Sequence, residues 1–467
     1  MSAARALFLT CVVVTATAAQ GPPGAVRTMR IDYFHTGDAK QELFSFDEAV
    51  IEPAQWSGHA AHTADVLDYG AYGFDVRDAA SNRLLYSRGF GSIFDEWSTT
   101  EEATTLTRTF HESVRFPAPA APVTVTIRRR AGNTWRNLWT TTVDPKHMFV
   151  NTAAPEPAPG DLIAFERNGD PATRVDLLLL GDGYTPAERG KFEADARRLI
   201  AALFATSPFK ERRTDFNVWG LVPAAKESGI SRPSTGIHRS NPAGSTYDAF
   251  GSERYILSFD NKAFRRLASY APYDVVELVA NERTYGGGGI YGLYSTVAAD
   301  NAFAAYVFVH EFGHHFAALA DEYYTSPVAY LPATTREEPW EPNVTALLDP
   351  AGLKWRDLVT PGTPLPTPWD KDAYEKASRE SQARRAKLRA EKRPEAEMEA
   401  LFAEERQRDD AMLEKAKGIV GAFEGARYES RGYYRPEANC IMFTRTEAFC
   451  AVCRRALERV IDTYSRN

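Results

Sequence analysis

The first third of the chain alternates apolar and polar residues in short runs. Residues 71–76 (AYGFDV) and 123–128 (VTVTIR) show this pattern, and clusters of Asp, Gly, Asn and Pro separate such runs. A period of two residues is typical of strands with one buried face. Residues 26–150 are therefore predicted to form a β-sandwich domain of roughly a hundred residues. The proline-rich residues 155–159 are predicted to be a linker.

The pattern changes in the run VDLLLL (residues 175–180), which predicts a buried strand. The following segment TPAE (185–188) has the capping box and the early proline that begin a helix. A second apolar strand is predicted at residues 274–280. A strand followed by a helix is typical of an α/β layer, so we predict an α+β protein whose α/β domain occupies residues 160–467.

Two later segments depart from this pattern. Residues 370–417 are rich in Ala, Glu, Lys and Arg and are interrupted by Pro394, which predicts a charged helical hairpin inserted in the second domain. A solvated surface insertion is the simpler interpretation, and a partner-binding arm is the alternative. Residues 285–291 (YGGGGIY) are predicted to be a loop or an edge strand that lies close to another backbone.

The N-terminus has the features of a secretory signal peptide over residues 1–19: Arg5, a short apolar run, and small residues that suit cleavage. The apolar run is far shorter than the about 20 residues needed for a membrane span. We therefore predict export, to the medium, the periplasm or the cell surface, without a membrane span. A net charge of -7 over 467 residues argues against a broad nucleic-acid footprint.

Removal of the predicted signal peptide leaves Cys440, Cys450 and Cys453. In an oxidising compartment two of them are expected to form a disulfide, and the sequence leaves the pair open. The alternative is a metal site that uses the Cys450-x-x-Cys453 pair. It is disfavoured because the chain has no second pair of that kind.

The segment VFVHEFGHHF (residues 307–316) carries the candidate chemistry. Residues four apart on a helix share a face, so His310 and His314 can direct both imidazoles at one ion, while Glu311 can reach a water bound there. Zn²⁺ suits such ligands because it keeps an open position for water. We therefore predict a zinc site with Glu311 as the general base. His315 points off the metal face and is predicted to pack.

A third metal ligand must follow a turn of the chain. If the helix continued, Asp321 would lie about 16 Å along the axis from His310, far outside bonding range. The chain is therefore predicted to turn soon after His314. Asp321 is the nearest carboxylate and the predicted ligand, and Glu322 is the alternative.

Residues 310–324, of the form HExGHxxxxLxDEY, are similar to the M64 family of metallopeptidases, sometimes called IgA peptidases after one member. The likeness covers nearly the whole mature chain apart from the charged insertion. Further segments that carry it are GDGYT (181–185), YGGGG (285–289), EPNVT (341–345), KW (354–355), YRP (434–436) leading into CIM (440–442), and FDEWSTT (94–100) in the N-terminal domain.

The resemblance implies a metzincin-like zinc peptidase domain in which Met442 forms the turn beneath the metal. Metzincins place a Gly three residues after the second motif histidine and a ligand three residues further on. Here Ala317 and Ala320 occupy those positions, so the standard spacing fails by one residue. The resemblance also implies that Gly287 and Gly288 border the cleft in a substrate-aligning edge strand.

Tyr433 or Tyr434 is a candidate hydrogen-bond donor to the oxyanion, with aromatic packing as the alternative role. The preferred hypothesis is a secreted zinc endopeptidase that acts on protein or peptide substrates. The alternative is a catalytically inactive surface module that binds protein or carbohydrate on a peptidase fold, an idea supported by the N-terminal sandwich. The intact His310, Glu311 and His314 argue against it. The sequence leaves the physiological substrate and the oligomeric state open.

Overall fold

The computed structural model describes residues 25–156, 158–332 and 335–465. The predicted signal peptide (1–19) and Pro157 of the predicted linker lie outside these residues. Among the described residues, no helix combines the length and apolar character needed to cross a bilayer.

The N-terminal part is a two-layer arrangement of antiparallel sheets with the strand orders β2-β1-β5 and β4-β3-β6-β7. Its elements are β1 (Arg27–Gly37), β2 (Glu42–Gln55), β3 (Tyr72–Asp78), β4 (Leu84–Phe90), α1 (Ile93–Ser98), β5 (Arg108–Pro117), β6 (Val123–Ala131) and β7 (Thr134–Val143). The alternation in β6 buries Val123, Val125 and Ile127 completely. Side chains from both sheets share one core, which is the architecture of a β-sandwich.

The second part is built on a six-stranded sheet of order β14-β15-β13-β9-β10-β8. Its elements are β8 (Ile163–Glu166), β9 (Val175–Asp182), α2 (Arg189–Leu203), β10 (Phe216–Leu221), β11 (Ser245–Thr246), β12 (Leu257–Ser258), α3 (Asn261–Ala268), β13 (Val275–Ala280), β14 (Gly287–Ile290), β15 (Tyr294–Ala298), α4 (Ala304–Ala317), α5 (Lys371–Ala390), α6 (Glu395–Leu413), β16 (Phe423–Ala426), β17 (Glu429–Arg435) and α7 (Ala451–Ser465). The four inner strands are parallel, and the edge strands β8 and β14 are antiparallel to their neighbours. The protein is therefore a mixed α+β chain, as predicted.

The central strand β9 explains the continuous apolar run VDLLLL, because it is buried on both faces. Leu177 and Leu179 face the core that contains α2, α4 and α7. Leu178 and Leu180 face a second core, to which α3 and Phe94 of the N-terminal part contribute. The sheet therefore has the motif helix α4 on one face and α3, with Phe94 of the N-terminal domain, on the other.

The N-terminal domain packs directly on the second domain. The Arg115 guanidinium lies 3.5 Å above the ring centroid of Tyr273, and Ser57 Oγ donates to Asp274 at 3.0 Å. The backbone N–H of Gly91 donates to the carbonyl of Tyr291 at 2.7 Å, immediately after β14. The two domains are thus in contact beside the edge strand.

Residues 371–413 form the paired helices α5 and α6, and they differ from a fully solvated insertion. The ring of Phe402 on α6 lies 4.9 Å from that of Tyr285 and 5.6 Å from that of Phe303, measured between centroids. Buried Glu405 on α6 forms ion pairs with Arg385 on α5 and with Arg445. One face of the pair is therefore packed against the domain near the start of α4, while the charged residues that dominate its composition cover the other face.

Candidate metal centre

The motif residues lie on α4 (Ala304–Ala317), a helix buried in the main core of the second domain. The apolar residues Val307, Phe308 and Phe312 pack in this core. His315 lies off the metal face, as predicted, and is buried. Its Nδ1 donates to the carbonyl of Ile290 at 3.1 Å, and its Nε2 accepts from the N–H of Val276 at 3.1 Å. His315 therefore joins α4 to two strands of the sheet.

The helix ends at Ala318, whose φ of 56° places it in the left-handed region. The N–H of Ala318 donates to the carbonyl of His314 at 3.1 Å, and the N–H of Leu319 donates to Gly313 at 3.3 Å. A left-handed residue with these bonds terminates a helix and reverses the chain. The turn falls one residue later than in the metzincin spacing, and Asp321 follows it by three residues.

The reversal brings Asp321 back to both motif histidines. Its Oδ1 lies 3.1 Å from Nε2 of His310 and 3.2 Å from Nε2 of His314. The two Nε2 atoms are 3.1 Å apart. In a tetrahedral site with bonds of about 2.0–2.1 Å, ligand atoms are separated by about 3.3–3.4 Å. The triangle thus has the size of one face of a zinc coordination shell.

Backbone carbonyls orient both imidazoles. Nδ1 of His310 lies 2.8 Å from the carbonyl of Ile441, and Nδ1 of His314 contacts the carbonyl of Leu319. A carbonyl only accepts, so each Nδ1 carries a proton, and in the neutral form of each ring the lone pair is at Nε2. The buried Oδ1 of Asp321 faces both Nε2 atoms at the distances given above. Two lone pairs and a carboxylate oxygen thus converge, an arrangement that a cation stabilises.

Burial and the close charged groups shift the pKa values of His314 and Glu311. Burial lowers the pKa of His314, but the Asp321 carboxylate outweighs this effect and raises it to about 9. A proton and a metal ion therefore compete for the same place. Burial also raises the pKa of Glu311, against the opposing effect of the two histidines. A raised pKa makes this carboxylate a stronger base.

A hairpin turn holds Asp321 from the other side. The hydroxyl of Tyr428 donates to Oδ2 of Asp321 at 2.6 Å. The N–H groups of Arg427 and Tyr428 donate to the carbonyls of Asp321 and Tyr323, each at 3.0 Å. Arg427 and Tyr428 form the two-residue turn between β16 and β17, and both have positive φ values, 52° and 65°. Turns of this conformation usually contain Asn and Gly. The strained turn is stabilised by its hydrogen bonds to Asp321 and Tyr323.

The side chains of Glu311, His314 and Asp321 border a cavity of about 520 Å³. Both domains line it. The lining residues include Asp95 and Glu96 from the N-terminal domain and Gly287, Gly288, Gly289, Tyr255, Glu311, His314, Asp321, Tyr330 and Tyr433 from the second domain. The cavity therefore opens onto His314 and Asp321, two of the three candidate metal ligands.

Glu96 is the main contribution of the N-terminal domain to this cavity. Its Oε2 accepts from the hydroxyl of Tyr330 at 3.0 Å and from the hydroxyl of Tyr255. Burial raises the pKa of Glu96 to about 7, although both hydroxyls favour the ionised form. The sequence predicted no chemical role for either residue: Glu96 lies in the segment FDEWSTT, which indicated only the family resemblance, and Tyr428 lies in none of the segments that carry it.

The glycine strand β14 forms one wall of the cavity. Gly287 and Gly288 both line it. The outer N–H and C=O of Gly287, however, already pair with the carbonyl of Arg254 at 3.1 Å and the N–H of Ile256 at 3.2 Å. Successive residues of a strand point their backbone groups in opposite directions. Gly289 is therefore the next residue whose N–H and C=O face the cavity edge.

Four other residues were given possible roles from the sequence: Met442, Tyr433, Tyr434 and Glu322. Met442 is fully buried, and its Sδ lies 3.2 Å from the position of a Cβ built on Gly313, directly beneath α4. Tyr433 lines the cavity, whereas Tyr434 pairs through its backbone with Thr345. Glu322, the alternative third ligand, points away from the histidines, with Oε1 3.3 Å from Sγ of Cys453.

The expected disulfide is absent from the described residues. Cys440, Cys450 and Cys453 are all free and buried, and the Sγ atoms of Cys440 and Cys453 are 3.8 Å apart. A disulfide bond is about 2.05 Å long. The structure thus does not show the predicted disulfide, and the alternative of a metal site had been disfavoured because the chain has only one Cys-x-x-Cys pair.

The chain is similar to a known family of peptidases over most of its length. Residues 163–461 match the family profile described as IgA Peptidase M64, and residues 24–140 match the profile described as Peptidase M64 N-terminus. A search of the curated proteins found no match. The two profiles cover most of the chain, and peptidases of this family are generally metal-dependent. This protein thus belongs to the M64 family of peptidases.

Proposed function

We propose that this protein is a secreted, zinc-dependent endopeptidase that hydrolyses peptide bonds of extracellular proteins. Family membership supports peptide-bond hydrolysis. The observation that carries the metal is the convergence of His310, His314 and Asp321, whose ligand atoms lie within 3.2 Å of one another. The mixed sheet with its antiparallel edge strand, and Met442 beneath α4, support a metzincin-like domain.

Zn²⁺ fits this donor set because two neutral imidazoles and one carboxylate leave a fourth position open. When bound, the ion would lower the pKa of a water and polarise the scissile carbonyl. Tyr428 would keep Oδ2 of Asp321 occupied so that Oδ1 faces the ion. Ile441 and Leu319 would hold the rings of His310 and His314 in the ligating tautomer.

Glu311 is the proposed general base. It follows His310 on α4, lines the cavity beside His314, and has a pKa raised by burial. As the water oxygen attacks the carbonyl carbon, Glu311 accepts a proton from that water. It then passes the proton to the leaving amine as the C–N bond breaks.

The edge of β14 supports binding of an extended peptide. Gly287 and Gly288 line the cavity, and the free backbone edge begins at Gly289 because neighbouring chain occupies that of Gly287. A substrate strand that pairs here would lie beside Glu311. Of the two candidate oxyanion donors, Tyr433 is favoured over Tyr434 because it lines the cavity.

Zinc content and cleavage of an unfolded protein test the proposal, with Glu311→Gln as the matched variant. The purified wild type is expected to contain zinc and to cleave, and a chelator is expected to stop cleavage. The variant is expected to keep its zinc and to lose about 10²–10⁴ in rate. Equal activity of the two proteins would refute the assigned base. A zinc-loaded wild type that cleaves nothing in a proteome-derived peptide library would favour the inactive binding module.

A further inference from the structure

A second group of metal-ligating side chains lies behind the first. Glu322, Cys440, Cys450 and Cys453 each offer one ligand atom, and these atoms all lie within 4.8 Å of one another. All four side chains are buried. We propose that they bind a second, structural Zn²⁺, separate from the ion at His310 and His314.

The distances match a thiolate coordination shell. With Zn–S bonds of about 2.3 Å, two sulfur ligands in a tetrahedron are separated by about 3.8 Å. The Sγ atoms of Cys440 and Cys453 are 3.8 Å apart, and Sγ of Cys453 lies 3.3 Å from Oε1 of Glu322. Three sulfurs and one carboxylate oxygen also make the usual number of ligands for a closed structural site.

Backbone N–H groups donate to two of the sulfurs. The N–H of Cys450 donates to Sγ of Cys440 at 3.3 Å, and the N–H of Cys453 donates to Sγ of Cys450 at 3.4 Å. Cys450 directly precedes α7, so its thiolate would lie at the positive end of that helix. The buried Arg435 exerts its charge on Glu322 and Cys440. With Zn²⁺, three thiolates and one carboxylate would carry a net charge of two minus, which Arg435 reduces.

The carboxylate of Glu322 provides a second, independent indication of a cation. Its side chain is fully buried, and Oε1 accepts from Nδ2 of Asn343 at 3.0 Å. Among the described residues, its Oε2 has no hydrogen-bond partner. An unpaired buried carboxylate oxygen is costly, and a cation beside this carboxylate would offset that cost.

A third acidic cluster offers a contrast. Asp32, Asp47 and His111 also have the spacing of a metal site. There, however, Arg30 already pairs with Asp32 at 2.7 Å and Lys262 with Asp47 at 2.5 Å. Protein cations thus neutralise that cluster.

The second ion would stabilise the first site. Glu322 directly follows Asp321, and its N–H donates to the carbonyl of Met442 at 2.8 Å. Cys440 directly precedes Ile441, whose carbonyl orients His310. An ion that joins Glu322 to Cys440 would therefore fix both the loop that carries Asp321 and the segment that orients His310. Its role is positional.

Metal analysis of the full purified chain tests the inference. We expect two zinc ions per chain in the wild type, one in His314→Ala and one in Cys453→Ser. After cobalt substitution, His314→Ala should keep the near-ultraviolet absorption of cobalt–thiolate bonds, and Cys453→Ser should lose it. Glu322→Gln preserves the shape of the side chain and is the second variant of the cysteine site, to be used if Cys453→Ser does not fold. It should bind the second ion at least about tenfold more weakly.

Two results would overturn the inference: a wild type that never binds more than one ion and shows no cobalt–thiolate absorption, or a disulfide-linked peptide joining two of the cysteines in unreduced protein. The variants also separate this inference from the proposed function. If the only bound ion survives His314→Ala and is lost in Cys453→Ser, the cysteine site stands and the catalytic zinc site fails.

Discussion

The backbone of Gly289 lies so close to Glu311 that a Cβ atom at residue 289 would overlap the carbonyl oxygen of Glu311. The neighbouring glycines are equally constrained. A Cβ at Gly287 would lie 2.5 Å from a methyl carbon of Val307, and one at Gly288 would overlap the ring of Tyr255. The glycine run therefore allows β14 to pack directly against the backbone of the motif helix.

Substitution of Gly289 by Ala is expected to separate β14 from α4. The clash is with backbone, so the free energy of unfolding should fall by about 1–3 kcal/mol, and zinc should bind more weakly because α4 carries His310 and His314. The matched control is Gly190→Ala on α2, where no heavy atom lies within 4 Å of the added Cβ. The control should be neutral or stabilised by up to about 1 kcal/mol. Urea unfolding and zinc competition measure both effects, and equal behaviour of the variants would contradict the packing argument.

Tyr428→Phe removes the hydroxyl that orients Asp321. The affinity of the histidine site for zinc is expected to fall about 10–100-fold, because a ligand without its supporting hydrogen bond loses its fixed orientation. Competition with a chelator of known affinity measures the change. Tyr433→Phe is the control, since Tyr433 lines the same cavity without a hydrogen bond to Asp321. If both variants bind zinc as tightly as the wild type, Asp321 is not held by Tyr428.

Glu96→Gln tests the contribution of the N-terminal domain to the cleft. Glu96 ties Tyr255 and Tyr330 together, so a neutral side chain should loosen the cavity wall. Above about pH 8, where Glu96 with its pKa of about 7 is ionised, we expect kcat/KM on an unfolded protein to fall roughly tenfold, mainly through KM, since a hydrogen bond to a charged group contributes about 1.5–3 kcal/mol. Zinc content should not change. Glu101→Gln, at an exposed residue of the same domain, is the control, and an unaltered KM in Glu96→Gln would argue against this role.

His35 gives the N-terminal domain a characteristic pH dependence. Burial lowers the pKa of His35, but Glu112 at 3.0 Å and Glu42 at 3.1 Å outweigh burial and raise it. A raised histidine pKa contributes stability that is complete below the unfolded value of 6.5 and is lost as pH rises through the folded value. Stability should therefore fall above pH 6.5, by at most about 1.4 kcal/mol per pH unit.

Thermal unfolding of the full chain between pH 6 and 9 measures this effect. His35→Gln should flatten the dependence, because glutamine does not titrate. His147→Gln, at an exposed position after β7, should keep the wild-type slope. Parallel curves for the wild type and His35→Gln would show that the ion pair with Glu42 and Glu112 does not contribute.

Much of the fold follows from local patterns. The alternation at residues 123–128 corresponds to a strand of the N-terminal sheets, and the continuous apolar run at residues 175–180 corresponds to the central strand β9. Both predictions succeed because burial on one face or on two faces leaves a direct record in the sequence. The sequence predicted the helical hairpin at residues 370–417 but not its packing against the domain, because its few buried apolar residues, such as Phe402, lie among many charged residues.

The sequence by itself determined the family, the α+β class and the common face of His310 and His314, because helical geometry depends on neighbours in the chain. Only the tertiary structure decided that Asp321 faces the histidines while Glu322 faces the cysteines. Adjacent side chains diverge according to how the loop is held by Tyr428 and Met442, more than a hundred residues away. Such contacts depend on packing between distant segments, and no local spacing encodes them.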